Sequence, residues 1–112
     1  MNAKQRVIAA IRQQETSEIP VGFSYHFPKG NEKGQEGVNA HLRFFQETGV
    51  DICKIMNDNR IPVMSHVKTA EEWKEIRSFR MEETFFQNQL ELTSALLDKM
   101  GSQVFSLGTL HG

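Results

Sequence analysis

The stretch of residues 50–58, VDICKIMND, constrains the fold of this chain more than any other segment. It is a short apolar run that ends abruptly in the small polar side chains of Asn57 and Asp58, with Gly49 just before it and helix-like patterns on both sides. A run bounded in this way is typical of a buried parallel strand. Because ligands of α/β folds bind at the carboxyl ends of such strands, we expect Asn57 and Asp58 to lie at an open face.

Helical and strand-like patterns alternate along the rest of the chain. Apolar residues at helical spacing, together with caps and breakers, predict helices over residues 2–14, 38–48 and 84–100, and another that begins with a capping box at Thr69 and Glu72. Period-2 alternation predicts a strand over residues 19–27, and an apolar run predicts another over residues 104–110. Strands that alternate with helices indicate right-handed parallel βαβ units.

The helical spacing also predicts which side chains are buried. On the helix that begins near Thr69, we expect Trp73 and Ile76 to face the core. On the helix over residues 84–100, we expect one apolar stripe with Leu92 and Leu96 beside it, formed by Phe86, Leu90, Thr93, Leu97 and Met100. The single cysteine, Cys53, lies inside the central apolar run, where a small core residue fits.

Composition excludes several classes of protein. The chain has 13 basic and 14 acidic residues and a formal net charge of -1, so it carries no electrostatic footprint for nucleic acid or for an anionic membrane. One cysteine excludes an intramolecular disulfide and fits a reducing cytoplasm. We expect a cytoplasmic protein, because the N-terminus lacks the features of a signal peptide and no apolar segment is long enough to span a bilayer.

The predicted elements do not complete a fold by themselves. Three strands leave a parallel sheet with free edges, whereas a whole (β/α)₈ barrel takes roughly 250 residues. We therefore expect an α/β fold in which residues 1–112 form a single, incomplete domain, the N-terminal segment of a TIM barrel with about three βα units. An alternative stays open, in which several copies complete each other's sheet and the chain is a non-catalytic product that folds only by self-association.

Four segments in this order and spacing resemble the uroporphyrinogen decarboxylase family, which includes corrinoid- and methylcobamide-dependent methyltransferases. The segments are KQRVIAAIRQQETSEIPVGFSYHF, HLRFFQETGVDICKIMND, TAEEW and VFSLGTLHG. They cover nearly the whole chain but only about the first third of a family member. The resemblance implies a (β/α)₈ barrel whose strand-end aspartate is Asp58, a catalytic carboxylate that accepts N–H bonds from a tetrapyrrole and stabilises positive charge developing on it.

The resemblance is imperfect at the first strand. Decarboxylases of the family have an RQAGRY-like segment whose two arginines bind substrate carboxylates, and the matching segment here, YHFPKG, puts Tyr25 and Lys29 at those positions. Tyr carries no charge and Lys is a point charge, so the carboxylate clamp is weakened. This favours a divergent member, nearer the methyltransferases, acting on a tetrapyrrole or on a corrinoid-linked methyl group.

The resemblance places any zinc site of such a methyltransferase on His and Cys residues of later barrel strands. We therefore expect no metal and no cofactor on residues 1–112, while zinc or a corrinoid belongs to a full-length methyltransferase-like relative. The expected partner is a small-molecule tetrapyrrole or a corrinoid protein, and a homo-oligomer stays open. The family implies a lyase or a methyltransferase. The segment alone is expected to be inactive, because much of the site would come from other strands.

Several further side chains are candidates for substrate contacts. His26 and His111 each end a predicted strand, where an imidazole serves as an acid, a base or a ligand contact, or simply forms a structural hydrogen bond. Strand alternation puts Lys54 on the same face as Asp58, although a Lys extending to solvent at a strand edge explains it equally well. Asn57 joins this set. The bland alternatives are an Asx cap for Asp58 and a packed aromatic for Tyr25. His41 and His66 are expected on the surface or on a helix face.

Overall fold

A computed structural model describes residues 1–110 of the chain as a mixed α/β fold. Within these residues, three α-helices accompany a two-stranded parallel sheet. The elements in chain order are α1 (Ala3–Ile11), α2 (Gly34–Thr48), β1 (Ile52–Ile55), a 3₁₀ turn (Glu72–Glu75), α3 (Thr84–Met100) and β2 (Phe105–Gly108). The α/β class, the predicted helices over residues 2–14, 38–48 and 84–100, and the central strand are confirmed.

The paired segments of the sheet run parallel to one another and lie in the order in which they occur in the chain. β1 and β2 pair in parallel from Ile52 opposite Phe105 to Ile55 opposite Gly108. On the other side of β1, Gly22 forms a parallel bridge with Ile52. Three chain segments therefore lie side by side in sequence order: the first segment (residues 19–27, around Gly22), β1 and β2. Helix α2 connects the first segment to β1, and α3 lies in the connection from β1 to β2.

The predicted strand over residues 19–27 is wrong as an extended element. It is reduced to the bridge at Gly22, supported by the carbonyl of Val21, which accepts hydrogen bonds from the N–H groups of Asp51 (2.8 Å) and Ile52 (3.2 Å). Two physical causes explain why this strand is so short. Pro20 has no N–H to donate, and a segment at the edge of the sheet has a neighbour on one side only.

The core lies between one face of the sheet and the helices α2 and α3. It consists of buried side chains from α2, β1, α3 and the turn before β2: Val38, Cys53, Ile55, Leu92, Leu96, Met100 and Val104. The predicted stripe of α3 is partly wrong, since Leu90 and Leu97 are 49% and 45% exposed whereas Leu92 and Leu96 are fully buried. Helix α3 carries two adjacent apolar stripes, and the one that meets the sheet is buried.

The region between β1 and α3 does not form the predicted helix. The capping box does form, since the Thr69 N–H donates to Glu72 Oε2 at 3.0 Å and the Glu72 N–H reaches Thr69 Oγ1 at 3.4 Å. The helix ends after one 3₁₀ turn, and the prediction that Trp73 and Ile76 are buried is wrong, because they are 69% and 41% exposed. A short helix is marginal in water, and this one has no apolar surface against which to pack.

The face of the sheet opposite this core is only partly covered. Cys53 and Ile55 point into the core, so Ile52 and Lys54 alternate to the other face, where Leu107 of β2 is 49% exposed. The radius of gyration is 17.5 Å, whereas a compact domain of this length has about 13 Å. Parallel sheets in proteins are normally covered on both faces. The described chain is therefore more extended than a compact domain of the same length.

Candidate functional site

His26 and Asp58 meet just beyond the carboxyl ends of neighbouring parallel segments. The His26 Nδ1 lies 2.9 Å from Asp58 Oδ1, and the two side chains are 79% and 24% exposed. His26 follows the bridge residue Gly22 by four positions, and Asp58 follows the end of β1 by three. Parallel pairing of Gly22 with Ile52 therefore brings both side chains to the same edge of the sheet, as predicted for strand-end residues.

The pair borders a cleft made of two adjoining cavities, which we call the polar cavity and the apolar cavity. The polar cavity, about 670 Å³, is lined by three cationic and two anionic side chains besides His26: Lys29, Lys33 and Arg60, with Glu32 and Asp58. The apolar cavity, about 560 Å³, is lined mainly by hydrophobic side chains: Ile61, Met81, Phe85, Phe86, Leu90 and Leu110. His26 and Asp58 line both cavities.

A chain of hydrogen bonds holds the turn that carries Asp58. Asn59 Nδ2 donates to the Glu32 carbonyl at 2.8 Å and to Gln89 Oε1 at 2.9 Å. Gln89 Nε2 in turn donates to the Met56 carbonyl at 3.0 Å. The residues on both sides of Asp58 are thereby tied to α3 and to the loop that precedes α2. The roles of Asn59 and Gln89 are not predicted by the sequence, because their polar side chains carry no distinctive spacing.

His41 lies directly behind this turn and is 2% exposed. Its Nδ1 is 2.7 Å from the Gly37 carbonyl, and the Met56 N–H lies 3.1 Å from its Nε2. Since a backbone N–H only donates, Nε2 accepts and Nδ1 carries the proton, which defines a neutral imidazole. Burial lowers the pKa of His41, while the hydrogen bond to Gly37 and the charge of Asp58 act in the opposite direction. The expectation of a surface position for His41 is wrong, although it does lie on a face of α2.

Asn57 connects the ends of the two strands. Its Nδ2 donates to the Thr109 carbonyl at 3.3 Å, so the second residue after β1 is bonded to the first residue after β2. Asn57 also lines the apolar cavity. The side chain thus combines a structural bond with a place in the cleft.

Tyr25 and Lys54 are not brought to the cleft. Both line a small cavity between the first segment and α2, where the Tyr25 ring stacks on Phe44 with centroids 5.6 Å apart and planes 9° apart. Lys29, by contrast, lines the polar cavity together with Asp58. Of the two positions that the resemblance aligns with arginines, only the one at Lys29 faces the cleft. The remaining candidate, His111, lies outside the described residues.

A buried ion pair joins three elements at the opposite, amino end of the strands. Asp51 is 4% exposed, and its Oδ1 accepts from Arg6 Nε at 2.7 Å and lies 2.6 Å from a second guanidinium nitrogen of Arg6. Its Oδ2 accepts from the Val21 N–H at 3.0 Å. Asp51 therefore ties α1 and the first segment to the start of β1. The sequence signal for this ion pair is an acidic residue inside an apolar run.

The side chains of the cleft can perform acid–base chemistry and bind charged groups. When Asp58 accepts the Nδ1–H of His26, the tautomer is fixed and Nε2 is left free to accept a proton. Cys53 is no nucleophile here, because burial raises the pKa of its thiol to about 11. Within residues 1–110, no three His, Cys, Asp or Glu side chains are grouped as a metal ion would require.

Comparisons of the chain with protein-family models, with curated protein sequences and with solved structures found no match. None of the helices in the described part of the chain combines the length and the apolar composition needed to cross a bilayer. A function must therefore be inferred from the residues and geometry of the cleft itself.

Proposed function

We propose that this chain forms the first three βα units of a uroporphyrinogen decarboxylase-like (β/α)₈ barrel. In this proposal the cleft binds a tetrapyrrole or a corrinoid-linked methyl group, and Asp58 is its catalytic carboxylate. The observation that carries the proposal is the meeting of His26 and Asp58, at 2.9 Å, at the carboxyl ends of adjacent parallel segments. In (β/α)₈ barrels the active site is built from residues at this end of the strands.

The arrangement of the sheet supports a barrel. Three parallel segments in chain order, joined by two connections that contain α2 and α3, match consecutive units of such a fold. The face of the sheet that carries the exposed Leu107 is the face that further strands would enclose. The free edge of β2 is where a fourth strand would pair.

The chemistry of the cleft supports a large ligand with anionic groups. Lys29, Lys33 and Arg60 suit carboxylates on the polar side, whereas Phe85 and its hydrophobic neighbours suit the flat body of a macrocycle on the other side. Asp58 uses Oδ1 for His26, which leaves Oδ2 to accept N–H groups of a bound ring. Because Lys29 is a point charge in place of a bidentate arginine, the proposal favours a divergent member of the family.

The two branches of the family would differ in cofactor. A methyltransferase-like relative would supply zinc from His and Cys residues of other strands, and a corrinoid would enter as ligand or on a partner protein. In either branch, the described residues serve to bind the ring, to orient it and to exchange a proton through His26 Nε2.

A binding titration tests the proposal. The purified chain is titrated with uroporphyrin and, separately, with methylcobalamin, and binding is followed by the absorbance of each ring. We expect saturable binding of one of the two, and binding at least about tenfold weaker for Asp58→Asn, a loss of one ionic hydrogen-bonding group. Asp98→Asn, at an exposed carboxylate of α3, is the matched control and should bind as the wild type does. Failure to bind either ring, or equal binding by Asp58→Asn, would contradict the proposal.

A second candidate is a non-catalytic chain that folds by self-association. It is favoured by the exposed Leu107 on the sheet and by the radius of gyration of 17.5 Å, because a second copy would cover that side chain. Light scattering coupled to size exclusion separates the two candidates. A homo-oligomer whose unfolding midpoint rises with concentration supports self-association, whereas a folded monomer that binds a ring supports the first candidate.

A further inference from the structure

We propose that His41 is a positioning residue for Asp58, and that the cleft keeps its binding geometry only while the His41 imidazole is neutral. This inference concerns the regulation of the proposed site and rests on the proposed function for its consequence on ligand binding. The structural part, a proton-sensitive hydrogen bond behind the turn, stands on the geometry alone.

The geometry leaves no room for a second proton on His41. Its Nδ1–H is committed to the Gly37 carbonyl at 2.7 Å, and its Nε2 accepts the Met56 N–H at 3.1 Å. Protonation would place an Nε2–H against the Met56 N–H, so two donors would face each other at that distance. The bond must then break, and a buried backbone N–H loses its partner.

The break lies next to the residues that form the cleft. Met56 is two positions before Asp58, and its carbonyl accepts from Gln89, which also accepts from Asn59. The turn over residues 56–59 therefore has anchors on α2 through His41 and on α3 through Gln89. Releasing the α2 anchor moves the backbone that presents Asp58 to His26.

The surroundings of His41 favour the neutral form. The ring packs on Phe27, with centroids 4.6 Å apart. His41 also lines the small cavity between the first segment and α2. The other titratable groups that line it are Tyr25 of the first segment and Cys53 and Lys54 of β1, while Asp58 acts on His41 through its charge. Asp58 is the one group among these that stabilises an imidazolium, and burial outweighs it, so the pKa of His41 lies below 6.5.

The variant His41→Gln separates protonation from packing. A Gln side chain offers an amide NH2 donor and a carbonyl acceptor in place of the donor and acceptor nitrogens of the neutral imidazole, but it does not titrate. The first readout is the backbone amide resonance of Met56 between pH 8 and pH 5, which needs no ligand. We expect this resonance to titrate below pH 6.5 in the wild type and to stay constant in His41→Gln.

Two controls address the other histidines. His66→Gln alters an exposed histidine and should leave the Met56 titration intact. His26→Gln removes the histidine bonded to Asp58, and the Met56 titration should also survive it. A Met56 amide that does not move with pH, or one that still titrates in His41→Gln, would overturn the inference. If His41→Gln does not fold, the wild-type protein alone provides the test. The inference then requires that the Met56 amide resonance and the His41 ring-proton resonances titrate with the same midpoint pH.

The second readout is ring binding as a function of pH. The wild type should lose about tenfold in affinity between pH 7.5 and pH 5, and His41→Gln should change less than about twofold over the same range. Absence of any ring binding would contradict the proposed function and leave the Met56 result to decide the inference about His41. Equal acid sensitivity of wild type and His41→Gln would refute the link between His41 and the cleft.

Discussion

His26 and Asp58 are 32 residues apart in the sequence, and their side chains meet at 2.9 Å beyond the ends of neighbouring parallel segments. The relationship depends on the pairing of Gly22 with Ile52, because that bridge sets how far each segment extends toward the cleft. The site is thus a product of strand register. Changes at the bridge, or in the turns after it, should affect the site without touching either side chain.

The first prediction concerns the bridge itself. A Cβ at Gly22 would lie 2.8 Å from the Cβ of Ile52, so Gly22→Ala forces the first segment away from β1. We expect a loss of about 1–3 kcal/mol in the free energy of unfolding, the usual effect of overpacking. Urea unfolding measures it. Gly108→Ala, where a Cβ meets nothing within 4 Å, is the matched control, and an equal effect of the two variants would refute the role of the bridge.

The second prediction concerns the ion pair at the amino end of the strands. Asp51→Ala leaves Arg6 and the Val21 N–H without their acceptor in a largely buried place. Removing one member of a buried pair destabilises by about 3–5 kcal/mol, and we expect the lower end of that range because Arg6 is 20% exposed. Chemical denaturation of Asp51→Ala and of Asp98→Ala gives the comparison. A similar small loss in the free energy of unfolding for both variants would show that the ion pair of Asp51 does not stabilise the fold.

The third prediction concerns acid stability. Because the folded-state pKa of His41 is lowered, the unfolded chain binds a proton at that residue more readily than the folded chain. The free energy of unfolding should therefore be constant above the unfolded pKa, about 6.5, and should fall as the pH decreases below it. Unfolding by urea at a series of pH values measures this slope. His41→Gln should flatten the slope between pH 6.5 and 5, and an unchanged slope would mean that other groups cause it.

The fourth prediction concerns the reactivity of the single cysteine. Cys53 is buried and its thiol pKa is raised to about 11, so almost no thiolate is present at pH 8. We expect the native chain to react with a disulfide reagent at least about a hundredfold more slowly than the chain in urea, as the thiolate fraction and access both fall. Rapid labelling under native conditions would show that the core around Cys53 opens readily.

Local patterns in the sequence predicted the elements that depend on local chemistry. Helix α3 has the expected bounds, and Gly49 ends α2 with φ 64°, in the left-handed region that favours glycine. The apolar run at residues 50–58 contains β1, Ile52–Ile55, because the alternate side chains Cys53 and Ile55 are buried in the core. Asp58 lines the cleft because it is the polar residue at the end of that run.

What the sequence did not predict depends on contacts between distant residues. The capping box expected at Thr69 formed, but the helix predicted after it did not, and Trp73 is exposed because that segment packs against no apolar surface. The partners of Asp51 and His41 come from three different parts of the chain, and no spacing rule connects them. Tyr25 lies away from the cleft because its ring packs on Phe44.

The coupling between His26 and Asp58 in ring binding tests the central claim most directly. The dissociation constant of the bound ring, uroporphyrin or methylcobalamin, is measured for the wild type, His26→Gln, Asp58→Asn and the double variant. If the two residues act as one unit, the double variant should bind no more weakly than Asp58→Asn alone, a coupling of about 1 kcal/mol or more. Effects of the two changes that simply add, or the absence of an effect for Asp58→Asn, would contradict a site built on this pair.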